Sequence, residues 1–114
     1  MPRHPDLAAT ARLELQARQR DPTWPADDTA AWTVIAELLE RGEVETDLEW
    51  PALVDAARQA EDRRITQVEQ AKSLNDPNID AIAARFVAVA NIRRTLERSA
   101  WRRGFCLPSQ EKAA

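Results

Sequence analysis

Ser73-Leu74-Asn75-Asp76-Pro77-Asn78 interrupts the longest helical pattern of this chain. Before it, Trp50, Leu53, Val54, Ala57, Ala60, Ile65, Val68 and Ala71 recur at the spacing of one helix face. After it, Ile82, Phe86, Val89, Ile92 and Leu96 do the same. Asp76-Pro77 reads as a helix start, a capping oxygen followed by a residue whose φ is already set. The break therefore predicts a turn between two long helices. The first is capped by Asp47 and runs for about 25 residues, near the upper end for a globular helix. The second runs from about Pro77 to Arg103 and is closed by Gly104. The expected centre of the fold is a long antiparallel helical hairpin over residues 47–103.

Upstream, Trp32, Ile35, Ala36 and Leu39 predict a helix from near Pro25 to Gly42, where a left-handed residue ends it. Before that, Asp6 is the expected cap of a short helix to about Arg20, with Leu7, Ala11 and Leu15 on one side. The prolines of Asp21-Pro22-Thr23-Trp24-Pro25 stop it. Trp24-Pro25-Ala26 and Trp50-Pro51-Ala52 echo each other as two similar helix entrances, below the three units a solenoid needs. The tryptophans at such entrances are expected to staple the core.

Only two glycines, no tyrosine and an abundance of Ala, Leu, Glu and Arg agree with an all-α protein, with one or two shorter helices packed on the hairpin. A chain of 114 residues is one domain burying roughly two-thirds of its unfolded surface. A mobile N-terminal helix over 1–22 and a flexible tail over 104–114 are expected. No stretch of about 18 apolar residues predicts a membrane span. Met1-Pro2-Arg3-His4-Pro5 lacks the apolar core of a signal peptide. The single cysteine, Cys106, fits a free thiol in a reducing cytoplasm, with an intermolecular disulfide as the alternative.

Charge is divided along the chain. Residues 21–62 carry twelve acids against Arg41 and Arg58, a net of −10, whereas residues 85–103 carry six arginines against Glu97, a net of +5. Such blocks can pair within one molecule, pair between copies, or leave the basic part free for a polyanion. A step of about 100° per residue stacks Arg94, Arg98 and Arg102 opposite the apolar face of the last helix and turns Arg93 into the apolar sector. Arg93 is expected to snorkel or to meet an acid from a neighbour. For the stripe, phosphate contact stands beside a solvated face or ion pairing with a neighbouring subunit. The acidity of the whole chain speaks against a simple monomeric DNA-binder and less against an assembly that gathers basic helices. Trp101, between Arg98 and Arg102-Arg103, is suited to stacking on a partner or to packing.

The residues hold no catalytic signature. His4 is the only histidine and has no ligand partners, so neither a metal site nor a Ser/His/Asp set can be built on it. Glu43, Glu45, Asp47 and Glu49 lack the glycine and terminal glutamate of an EF-hand loop and read as a solvated turn. Neither glycine belongs to a phosphate loop. A non-enzyme without cofactor or metal is expected.

Trp32-x-x-x-Ala36-Glu37-Leu38-Leu39-Glu40-Arg41-Gly42 leads through a short turn to Asp47, then to Leu53-Val54-x-Ala56-Ala57-Arg58-Gln59-Ala60. A second long helix then ends in Arg102-Arg103-Gly104-Phe105-Cys106-Leu107-Pro108-Ser109. Over residues 30–110 this order resembles one family of small subunits of the tailed-phage DNA-packaging terminase. That family joins a tryptophan-containing helix, an acid-capped helix with an alanine-rich middle, and a last helix leading into a Leu-Thr-Pro-Ser-Ser tail. Leu107-Pro108-Ser109-Gln110-Glu111-Lys112 departs from the tail in lacking its threonine and arginine.

The resemblance implies a non-enzymatic ring-forming homo-oligomer in the cytoplasm of a bacterial host. It would bind double-stranded DNA and present it to the terminase large subunit, which carries the ATPase and nuclease. Arg93, Arg94, Arg98, Arg102 and Arg103 are then the candidates for contact with nucleic acid or a neighbouring subunit. The competing expectation is a helical protein–protein interaction module, or an acidic inhibitor mimicking a polyanion, that binds no nucleic acid.

Overall fold

The computed structural model of the protein describes residues 4–42 and 48–104. They form four helices, α1 (Pro5–Arg20), α2 (Ala26–Arg41), α3 (Trp50–Ser73) and α4 (Ile79–Arg102), and no strand is present among the described residues. The protein is all-α. No helix among the described residues is long and apolar enough to cross a membrane.

Local chemistry sets the helix ends, in places differently from the expectation. Pro5 occupies the first turn of α1, so the cap position falls on His4 and Asp6 lies inside the first turn rather than capping it. There its carboxylate faces the positive end of the helix dipole. Asp21 is extended, as a residue before proline must be, and its Oδ1 accepts hydrogen bonds from the Thr23 N–H (3.0 Å) and Oγ1 (2.6 Å). Pro25 is the N-cap of α2, its carbonyl accepting from the Asp28 and Thr29 N–H groups. Gly42 closes α2 at φ 85°, donating its N–H to the Leu38 carbonyl at 2.7 Å. Glu49 stands at the N-cap of α3, and Asp47, the expected cap, lies outside the described residues, as do Cys106 and the tail from 105 onward.

The break after α3 is a Schellman motif. Asn75 sits in the left-handed region at φ 51°, its N–H donating to the Lys72 carbonyl while the Asp76 N–H donates to the Ala71 carbonyl. Asp76 does not cap α4. Its Oδ1 accepts from the Asn78 N–H at 2.8 Å, Asn78 takes the cap position, and the helix starts at Ile79 instead of Pro77. The reason is steric and local: the carboxylate closes a tight turn around Pro77 before helical dihedrals begin.

Every helix contributes to one core. Ala8, Ala11 and Leu15 come from α1; Trp32, Ile35, Ala36 and Leu39 from α2; Leu53, Val54, Ala57 and Ala60 from α3; Val89, Ile92, Leu96 and Ala100 from α4. The alanines let the helix backbones approach closely where the larger side chains interleave. α3 packs most extensively on α4 and α1 on α2, with α1 also against α4 and α2 against α3. Ile82 and Phe86, expected on the apolar face of α4, are half-buried.

The tryptophans divide. Trp32 is fully buried in the middle of α2, and Trp50 is half-buried against the core at the start of α3. Trp24 is no apolar staple. Its ring lies between the guanidinium groups of Arg18 (4.4 Å) and Arg63 (4.3 Å), held by cation–π attraction.

Candidate nucleic-acid interface

The arginines of this protein fall into two groups according to whether an acid of the same molecule meets them. Arg93, turned inward by its place on α4, is held by Glu61 of α3 and by Glu97 one turn further along its own helix. Arg58 of α3 reaches the same Glu97 at 2.7 Å. Burial pushes the Glu97 carboxyl up, but the hydrogen bonds and charges of Arg58 and Arg93 outweigh it and hold the group below its ordinary value. The same acids hold the Arg93 guanidinium in its charged form more firmly than usual, against the opposing effect of its burial. Arg93 thus meets acids of its own chain, and of the two expected fates it takes the ion pair.

A second network lies deeper. Glu14 of α1 is 1% exposed and Arg18, one turn on, is 3% exposed. Glu14 accepts from Arg18 (3.0 Å), from Arg64 of α3 through two nitrogens (2.9 Å each), and from Arg85 of α4 (3.3 Å). Arg18 also pairs with Asp28 of α2, so five charges join all four helices. Burial raises the Glu14 carboxyl, yet Arg64, Arg18 and Arg85 together bring it below its ordinary value. This cluster was not singled out from the sequence. Its signal is nevertheless present: Ala11, Glu14, Leu15 and Arg18 fall at i, i+3, i+4 and i+7, which puts two charges inside an apolar stripe.

Of the exposed arginines that no ion pair engages among the described residues, Arg20, Arg41 and Arg63 stand singly on α1, α2 and α3, and only the outer face of α4 gathers several. Arg94, Arg98 and Arg102 are exposed, and no ion pair engages them among the described residues. Arg94 makes only a long 3.4 Å contact to the Asn91 side chain one turn back. Steps of four residues set the three guanidinium stems about 6 Å apart along the axis. Arg103 is exposed beyond the helix, and its guanidinium lies 5.1 Å over the Trp50 ring, which draws it toward the start of α3. Of the five arginines predicted as contacts, Arg94, Arg98 and Arg102 therefore share one open face, Arg103 stands beside it, and Arg93 lies apart. Trp101 joins that face at 66% exposure, and Val87 is also open on the outer side of the helix.

Arg102, in the last turn of α4, also complements the negative end of the helix dipole, which accounts for part of its own placement. Their spacing and exposure suit a run of phosphates or carboxylates, since each guanidinium can donate two parallel hydrogen bonds. No group of three His, Cys, Asp or Glu side chains able to hold a metal ion occurs among the described residues. Comparison with family models, with curated proteins and with solved structures finds no match.

Proposed function

We propose that this protein is a non-catalytic, oligomeric DNA-recognition and assembly component of phage genome packaging, of the terminase small-subunit kind, acting in the cytoplasm of a bacterial host. It binds double-stranded DNA and presents it to a motor subunit. The observation that supports this reading is the sorting of the arginines. Arg12, Arg18, Arg58, Arg64, Arg85 and Arg93 meet internal acids, while Arg94, Arg98 and Arg102 stay open in one row. The finer architecture belongs to the same proposal: α3 and α4 act as one long antiparallel hairpin, with Arg58 meeting Glu97 and Glu61 meeting Arg93 in opposite chain order.

Fluorescence anisotropy with a labelled duplex at two salt concentrations tests the reading. Three phosphate contacts per subunit predict a slope of log K against log salt near about −2.7. Arg94→Glu with Arg98→Glu should weaken binding at least about tenfold and make the slope shallower by about 1.8. Unchanged affinity refutes the contact. Native mass spectrometry tests the assembly, for which a closed ring is the expected result and a monomer the adverse one.

A second reading rests on the opposite charge. Asp55, Asp62 and Glu69 are exposed on α3 at intervals of seven residues, so they lie along one side of that helix. A protein–protein module using this side would leave duplex DNA unbound and would respond to Asp62→Lys rather than to changes at Arg94.

A further inference from the structure

Trp101 is the most exposed aromatic side chain described, and it stands among the free arginines instead of against the core. On α4 it projects within about 20° of Arg94 and about 60° of Arg98, and it lies about 4.5 Å beyond Arg98 along the axis. An indole plane thus continues a row of guanidinium groups.

The two kinds of group ask for different parts of a nucleic acid. Guanidinium groups take phosphates, which duplex and single strand both offer. An indole takes the flat face of a base, which a duplex hides inside its stack and an unpaired strand leaves open. Arginines alone would read any polyanion. The added ring favours one whose bases are free.

We propose that the outer face of α4 binds single-stranded nucleic acid, or the unpaired end of a duplex, with a base stacked on Trp101 and the flanking phosphates held by Arg94, Arg98 and Arg102. This rests on the reading that these arginines meet a polyanion, and it goes beyond it by naming strand separation as the feature recognised.

The test uses the full chain and three labelled probes of equal length: oligothymidine, an abasic phosphodiester strand of the same charge, and a duplex. The expected result is at least about fivefold tighter binding to oligothymidine than to the abasic strand. Trp101→Leu should erase that preference and leave duplex and abasic affinities unchanged, with an unaltered thermal melt because the side chain is exposed. Trp101→Phe should keep part of the preference. Arg94→Gln should weaken all three probes together.

Equal affinity for oligothymidine and the abasic strand overturns the inference, as does a preference that survives Trp101→Leu. So does a fall in native mass caused by Trp101→Leu without loss of strand preference, because the ring would then pack against a second copy. In each of these cases arginine-dependent duplex binding would leave the broader DNA reading standing. Failure to bind any of the three probes at low salt would remove both.

Discussion

Replacing Glu14 by glutamine removes one negative charge from the point where three arginines converge while nearly preserving shape. The cost follows from who is left behind. Arg64 and Arg85 have side chains 22% and 28% exposed and can turn toward water, so their share of the loss is small. Arg18 cannot turn out, since its side chain is 2% exposed, although it keeps Asp28. Opening a buried pair costs about 3–5 kcal/mol, and the partial rescue by Asp28 and by solvent places this case near about 3 kcal/mol. For a domain of this size that corresponds to a fall in Tm of about 12 °C. Urea unfolding followed by far-UV circular dichroism measures it, with a lower midpoint expected at an unchanged m value. A loss below about 1 kcal/mol would refute the reasoning, because it would mean that Glu14 and Arg18 are hydrated rather than sealed by four helices.

The same groups predict the acid response. Glu14 and Glu97 are both held below their ordinary value of 4.5, so their contribution is complete above the unfolded pKa and is lost as pH falls below 4.5 through the folded values. Stability measured in urea should therefore decline in that window, and Glu14→Gln should flatten the decline. Arg12 and Glu40 make the contrasting case: their side chains are 40% and 36% exposed, and Glu40→Gln should change stability by less than about 0.5 kcal/mol in the same titration. Asn75→Ala, which forces a Cβ residue without a local hydrogen-bonding side chain into the left-handed region, should cost about 1 kcal/mol, whereas Asn75→Gly should be neutral or stabilising. Ile92→Ala, in the centre of the core, should cost about 2–5 kcal/mol by thermal melting.

Much of the helix grammar was legible in the chain itself. Pro22 stops α1, Pro25 opens α2, Gly42 ends α2, and the break after Ser73 separates α3 from α4, because each acts through dihedral preferences or hydrogen bonds within a few residues. The departures at Asp6 and Asp76 are both local: Pro5 takes the first position of α1 and leaves Asp6 inside the first turn, whereas the Asp76 carboxylate closes a turn around Pro77 and delays α4 to Ile79. The alignment of Arg94, Arg98 and Arg102 along one side of α4 was equally readable, since residues four apart share a helix side whatever that helix packs against.

Which charges meet was another matter. The divided charge pattern left open pairing within the molecule, pairing between copies or a basic part free for a polyanion, and Glu61 with Arg93 is a pair of the first kind. The deepest acid, Glu14, comes instead from the arginine-rich first helix and is met by Arg64 and Arg85, 50 and 71 residues away. Periodicity states which side of a helix faces inward. It does not state how far one helix slides or turns against the next, and only that register brings Arg18, Arg64 and Arg85 within reach of a single carboxylate. Sequence alone determined the four helices and the arginine row. Tertiary packing decided which arginines are satisfied within the molecule and which remain open, because ion pairs between helices depend on distances that no local preference encodes.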